Sequence, residues 1–422
     1  MSPSLAVARL RSGAADRAGN DYNPRMTTPS VTVKKGRVQP IAFRHPWLFA
    51  GSIERVEGEP AAGDVVDVLD PGGRFLGRGF FSPSSTIRVR LFAFERDAQA
   101  DQTFFERRLE AAARFRRDVI GLPAPRRTDA FRLVHSEADG LPGLVVEAYG
   151  DVLVVQLSHV ALERRRDVLL AAIERVFGDR PVYERDDPHV RKLEGLPPVQ
   201  GWIRGRGADT IDVRENGHLF RVDLAAGQKT GFFCDQRDNR AMAAGLAAGR
   251  RTLDAFCYTG AFAMNLARPG EARSVVAIES SARAIERARE NAAANEIEGI
   301  EFLEVDAYKF LGALGSGDRF DLVVLDPPAY APNRGAKKKA LQKYLELNRL
   351  ALSALEPGGI LVTCSCSGAV TEEEFEGVLR GAAVRAERRV RVFWRGGQAP
   401  DHPVDPACPE GRYLKALFCQ AE

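Results

Sequence analysis

A chain of 422 residues, 45% hydrophobic and 28% charged, is long enough for two or three packed domains with sizeable cores. Its formal charge of +3 is mildly basic, which permits an RNA partner without selecting one. No stretch approaches 18 apolar residues, which argues against a membrane-spanning helix, and the polar leader from Met1 to about Ser30 lacks the apolar core of a secretion signal. The six cysteines (Cys234, Cys257, Cys364, Cys366, Cys408 and Cys419) form no CxxC pair, and no histidine cluster has zinc spacing. A reducing cytoplasm, no disulfide framework and no metal are expected.

After the leader, residues 31–105 predict a small all-β unit. Asp64 to Leu69 and Ile87 to Phe92 alternate as strands, and Asp70-Pro71-Gly72-Gly73 marks a turn between them. From Thr103 to about Ile120 apolar residues recur at helical spacing among arginines, a connector into the next block. Residues 106–210 then read as a central α+β unit. Its strands lie near Gly143 to Glu147, Val152 to Leu157 and Val182 to Arg185, with a helix from about Leu162 to Val176. The Gly- and Pro-rich stretch from Gly195 to Gly207 is expected to be a linker.

From residue 211 to 422 strand and helix alternate. Apolar β runs fall at Arg251 to Ala255, Ser274 to Ile278, Ile300 to Leu303, Phe320 to Leu325 and Gly359 to Thr363. Such alternation predicts an α/β domain with a doubly wound parallel sheet, whose ligands sit beyond the carboxyl ends of the strands.

The polar tips of those runs carry the chemistry. The first run leads from Asp254 into Phe256-Cys257-Tyr258-Thr259-Gly260, a turn with one glycine instead of the three that a dinucleotide pyrophosphate needs. A nucleoside cofactor without phosphates is favoured, and S-adenosylmethionine is such a cofactor. Asp254 is assigned to its methionine amine, Phe256, Tyr258 and Gly260 to the cofactor-facing turn, and Glu279 to the ribose hydroxyls. Asp306-Ala307, after the third run, is assigned to the adenine. Each acid taken singly also suits a helix N-cap.

The fourth run ends in Asp326-Pro327-Pro328-Ala329-Tyr330, and the fifth leads to Ser365-Cys366-Ser367-Gly368. Asp326 is expected to face both the cofactor and a substrate base. Ala329 stands directly after the second proline, where amino-methylating enzymes carry an aromatic residue, so methylation of an exocyclic amine loses ground. Carbon 5 of cytosine is a poor nucleophile until a thiolate adds at carbon 6. Cys366 is the candidate for that thiolate and Asp326 its catalytic partner, while Cys364 falls inside the strand run. No residue is singled out as the base that removes the carbon 5 proton.

Asp326-Pro327-Pro328, Ser365-Cys366-Ser367, Gly227-Gln228-Lys229-Thr230-Gly231-Phe232-Phe233-Cys234-Asp235-Gln236-Arg237, Asp401-His402-Pro403 and Pro409-Glu410-Gly411-Arg412-Tyr413-Leu414-Lys415 together resemble the bacterial 23S rRNA cytosine-C5 methyltransferases. The resemblance runs from about Val33 to the C-terminus and takes in Arg44-His45-Pro46-Trp47 and His135 to Gly143. It implies an N-terminal PUA domain, a central α+β domain and a class I methyltransferase domain using S-adenosylmethionine. It further implies an rRNA substrate, free or in a partly assembled large subunit, and a homodimer. It places the nucleophile in Ser365-Cys366-Ser367 and adds Lys229, Thr230 and Gln236 as cofactor contacts. Two other readings remain: an RNA N-methyltransferase in which Cys366 only packs, and a noncatalytic RNA-binding assembly factor.

Overall fold

Apolar residues alternate along the first strands, and burying that one face builds the first sheet. Six strands take the spatial order Trp47–Phe49, Ile87–Ala93, Phe75–Phe81, Val65–Leu69, Ser30–Val33 and Ile53–Glu57. Val31, Val33, Leu48, Val66, Val68, Val89 and Leu91 form its core. The structure, a computed structural model, describes residues 28–124, 126–227, 231–315, 317–331 and 333–422.

The predicted connector is a helix over Gln102–Arg114, capped by Asp101, whose carboxylate accepts the Phe104 amide at 2.9 Å. Phe104, Phe105 and Leu109 on its buried face pack against the central sheet. That sheet has the order Gln200–Arg204, Val182–Arg185, Val152–Leu157, Leu144–Tyr149 and Ala130–His135. Its first member corrects the expected linker: within Gly195 to Gly207, Gln200–Arg204 is an edge strand paired with Val182–Arg185. Trp202 draws it in, its ring meeting Tyr183 edge-on at 5.2 Å.

A hairpin, Thr210–Glu215 and His218–Asp223, turns at Asn216-Gly217, both at positive φ as a two-residue hairpin turn requires. Asn291 and Asn295 secure its open edge by accepting the amides of Arg221 and Leu219 at 2.9 and 2.7 Å.

The C-terminal sheet carries strands β1 (Arg251–Ala255), β2 (Ser274–Glu279), β3 (Ile300–Glu304), β4 (Phe320–Leu325), β5 (Leu355–Ser365), β6 (Val390–Gly396) and β7 (Lys415–Ala421). Their order is β3-β2-β1-β4-β5-β7-β6. The first five strands are parallel, and β7 runs antiparallel between β5 and β6. Chain direction across the sheet reverses between β1 and β4, the switch point at which such sheets open a crevice.

Buried charge fixes the central unit to this domain. Arg116, fully buried, donates to the Asp401 carbonyl at 2.8 Å and pairs with Asp139 at 2.6 Å. The Asp401 carboxylate accepts the Arg132 amide at 2.8 Å and pairs with Arg237 at 2.9 Å. A buried cation with its partner removed is strongly destabilising, so these pairs hold the segment after Phe233 in place. No helix among the described residues is long and apolar enough to cross a membrane.

Candidate active site

At the switch point the ends of β1, β2, β4 and β5 enclose a cavity of about 320 Å³, lined by Gln236, Phe256, Tyr258, Glu279, Asp326, Pro327, Cys366 and neighbouring aromatic residues. β4 is stopped by two prolines, which require extended backbone and cannot continue the ladder. The Asp326 amide still reaches the Ala255 carbonyl of β1 at 3.3 Å. Its carboxylate turns to the cavity and accepts the Gln236 side-chain amide at 2.8 Å. Asn239 orients Gln236 by donating to its Oε1 at 2.5 Å and is itself tied to the Gly397 carbonyl at 3.0 Å.

β5 ends at Ser365, and the next side chain, Cys366, is half-buried with Sγ 3.9 Å from the Pro327 carbonyl. Ser367 locks the two loops together. Its hydroxyl accepts the Ala331 amide at 3.1 Å and meets the Tyr344 hydroxyl at 3.0 Å. Cys364 faces the hydrophobic core, and burial, then the Asp326 charge, pushes its thiol well above the ordinary range. Cys234 and Cys257 lie in the same core with thiols raised chiefly by burial, and no disulfide joins any of the six cysteines.

Glu279, at the end of β2, lines the cavity. Its Oε1 accepts the amides of Ser280 and Ser281 at 2.8 and 3.1 Å, and its Oε2 accepts the Tyr258 amide at 3.3 Å. Each oxygen has two acceptor sites, so Oε2 keeps capacity for a hydroxyl donor. Phe256 and Tyr258 hold φ values of 67° and 48°, left-handed conformations that non-glycine residues rarely adopt, and both residues line the cavity.

Other expected site residues lie off this cavity wall. Asp254 is fully buried behind the cavity wall, where Oδ2 accepts the Ala263 amide at 2.9 Å and Oδ1 has no hydrogen-bond partner among the described residues. Gly260 does not line the cavity. Its φ is 84°, and an added Cβ would stand 3.2 Å from that of Ala288, so the helix Ala282–Ala294 packs closely against it. Asp306 caps the helix Ala307–Ala313 by accepting the Lys309 amide at 3.0 Å, and Ala307 is packed in the core beneath it. Lys229 and Thr230 lie outside the described residues. Tyr330 does not line the cavity, and its ring packs against that of Tyr344 at 4.9 Å with the planes tilted by 48°. His402 also misses the cavity wall and packs on His135 at 5.3 Å. Trp47 donates from Nε1 to Glu137 at 2.8 Å, so the Arg44 to Trp47 segment joins the first sheet to the central unit. His45 adds a contact from Nε2 to Glu410 at 3.1 Å.

Known proteins match this architecture along nearly its whole length. The family of S-adenosylmethionine-dependent methyltransferases matches residues 196–418, and a PUA-like domain matches residues 31–94. A ribosomal RNA large subunit methyltransferase I from Shewanella denitrificans is 42% identical over 395 residues, covering 92% of this chain and 98% of its own. The chain belongs to this methyltransferase family. A methyltransferase of the same name from Klebsiella pneumoniae is 38% identical over 396 residues, covering 93% and 98%. Among solved structures, a protein from Streptococcus mutans assigned as an S-adenosylmethionine-dependent methyltransferase superposes with a TM-score of 0.79 at 19% identity, covering 93% of this chain and 99% of its own. A second, also assigned as a methyltransferase and solved with SAH, gives 0.81 at 20% identity, with the same coverage.

The residues of this methyltransferase fit S-adenosylmethionine as cofactor. A nucleoside needs an acid acceptor and apolar faces, which Glu279 and the rings of Phe256 and Tyr258 provide. A pyrophosphate would need cationic donors. Among the described lining residues the arginine is Arg240, already paired with Glu215 at 2.5 Å. Phe232, Phe233, Phe262 and Leu414 also line the methyltransferase's cavity without having been named individually as contacts. The adjacent Phe232-Phe233 in an otherwise polar loop was the available signal.

Proposed function

We propose that this chain methylates carbon 5 of a cytosine in large-subunit ribosomal RNA, with Cys366 as covalent nucleophile. The observation that carries this reading is the meeting of Cys366 and Asp326 on one cavity wall, together with Glu279. Relatives named ribosomal RNA large subunit methyltransferase I and the PUA-like domain support the substrate class.

Glu279, Phe256, Tyr258 and the Gln236 loop would hold S-adenosylmethionine, which would supply an electrophilic methyl group. RNA engages the N-terminal sheet and the basic rim, and one unstacked base enters the cavity. Asp326, steadied by Gln236, accepts a hydrogen bond from the cytosine amino group. The Cys366 thiolate forms a bond to carbon 6, and the electrons of the 5,6 double bond pass to carbon 5, which becomes nucleophilic. Transfer would break the methyl–sulfonium bond and leave S-adenosylhomocysteine; loss of the carbon 5 proton to water or a base then re-forms the 5,6 double bond, and the carbon 6–sulfur electrons return to Cys366 as thiolate.

The test uses an rRNA transcript containing 5-fluorocytidine. Fluorine at carbon 5 cannot leave as a proton does, so the adduct persists. A protein–RNA species stable to denaturation, mapped by mass spectrometry to the Cys366 peptide, is expected when S-adenosylmethionine is added. Methyl transfer to ordinary transcript with no such species would exclude the covalent route. Nucleoside mapping of rRNA from cells with and without the protein identifies the target as the one 5-methylcytidine that disappears.

A further inference from the structure

The antiparallel register of β5 and β7 sets Lys415 opposite Ser365, the residue before Cys366. Its ammonium donates to the carbonyl of Ser367, the residue after Cys366, at 2.7 Å, and to the Tyr413 carbonyl at 2.8 Å. Lys415 therefore brackets Cys366. The side chain is buried, and both partners are neutral oxygens. Among the described residues no carboxylate forms an ion pair with it. A buried ammonium lacking a counter-ion is costly, so an anion nearby is strongly favoured.

The charged and titratable neighbours narrow the choice of anion. Glu372 and Glu374 act on Lys415 from the helix Glu372–Arg385, but Glu374 is already paired with Lys337 at 2.6 Å. Cys364 and Tyr344 stand near Cys366, and each is held protonated mainly by burial. Asp326 shares the cavity with Cys366, and its charge opposes a thiolate there. Burial lowers Lys415 to about 8, and of its charged neighbours Cys366 pulls hardest the other way.

We propose that Lys415 is a positioning residue whose ammonium is the counter-charge of the Cys366 thiolate. This rests on the reading of Cys366 as the nucleophile. The same charge stabilises the sulfur before the bond to carbon 6 forms and again when that bond breaks.

The test reads thiol ionisation directly in the full-length protein, without RNA or cofactor. Iodoacetamide alkylation of Cys366, followed by peptide mass spectrometry from about pH 6 to about pH 10, should give a midpoint below the ordinary cysteine value of about 8.5. Lys415→Met should raise that midpoint by about one unit, slowing alkylation about tenfold at neutral pH, and Lys415→Arg should restore most of it. Equal midpoints in wild type and folded Lys415→Met would overturn the proposal.

If Lys415→Met fails to fold, Cys366→Ser decides, because coupling between two titrating groups is reciprocal. Competitive acetylation should then show Lys415 titrating at lower pH than in wild type, and an unmoved profile overturns the proposal. In turnover, the acid limb of the Lys415→Met rate profile should move to higher pH, whereas a purely structural loss would lower the rate equally at every pH. Since alkylation needs no RNA, it succeeds or fails independently of the adduct trap.

Discussion

An acid lies inside β1, another ends β2, and two more follow β3 and β4, yet they divide into two kinds. Asp254 and Asp306 each accept a backbone amide of the following helix and lie off the cavity wall, while Asp326 and Glu279 line it, Glu279 with amides of its own to accept. For Asp306 and Asp326 the residues immediately C-terminal to the acid account for the difference. Asp306 is succeeded directly by a helix whose orphan amides it caps. Asp326 is succeeded by Pro327 and Pro328, which have no N–H to offer, so its carboxylate cannot be satisfied by the next two residues and meets Gln236 instead. The prolines keep the acid available as well as ending the strand.

The largest effect expected is at the cavity side of this comparison. Cys366→Ala should lower methyl transfer at least about 10³-fold, with thermal stability close to wild type because the side chain is half-buried and small. Radiolabelled methyl incorporation into rRNA measures it. Turnover near the wild-type level would make Cys366 a packing residue and restore the N-methylation reading.

Asp254 gives the next largest effect, in stability. Burial raises its acid from 3.8 to about 7. Between those values the folded protein binds the proton more tightly than the unfolded chain, so the stability contributed by this residue falls as pH rises through the window and is constant outside it. Asparagine keeps an oxygen for the Ala263 amide but cannot ionise. Urea unfolding at about pH 5 and about pH 8 should show Asp254→Asn losing less stability across the interval than wild type, by on the order of 2 kcal/mol. Equal losses would mean that Asp254 carries no proton through that interval.

The strands were legible because a sheet covered on both faces reads as unbroken apolar runs: β1 and β4 begin and end where Arg251 to Ala255 and Phe320 to Leu325 predict. Gln200–Arg204 escaped notice because Gly201 and the flanking Gly and Pro residues mask Trp202 and Ile203. The motifs placed Asp326, Cys366, Glu279 and Gln236 together, since each ends a strand or opens a helix at one sheet edge. What could not be read was direction. Nothing in the residue type separates Asp254 from Glu279, because the difference depends on which amides come within reach after folding. The Arg116–Asp401 contact is likewise hidden, as its partners are 285 residues apart.

The two prolines after Asp326 give a smaller effect. Pro328→Ala supplies an N–H two residues after Asp326, the position at which an aspartate side chain closes a local turn. Captured there, the carboxylate would leave Gln236 and the cavity. Methyl transfer should fall about tenfold, in line with one hydrogen bond to a charged group, while the melting temperature changes little. Unchanged turnover would show that the prolines serve only to end β4.

Tyr330 belongs to the group committed to the fold, and its removal should therefore matter least. Its ring packs at a tilt against Tyr344, its hydroxyl lies 3.5 Å from that of Tyr308, and Lys343 sits 5.1 Å from its ring centre. Tyr330→Phe keeps the ring contacts and gives up one long, weak hydrogen bond. Turnover within about twofold of wild type is expected, with a stability change below about 1 kcal/mol. An aromatic residue that held the target base would lose its place over the cavity only if the loop were rebuilt, so a fall of about tenfold or more in Tyr330→Phe would mean that the hydroxyl reaches the substrate. That result would shift the acid motif from carbon methylation toward amine methylation, because the aromatic partner missing at Ala329 would then be supplied one residue later.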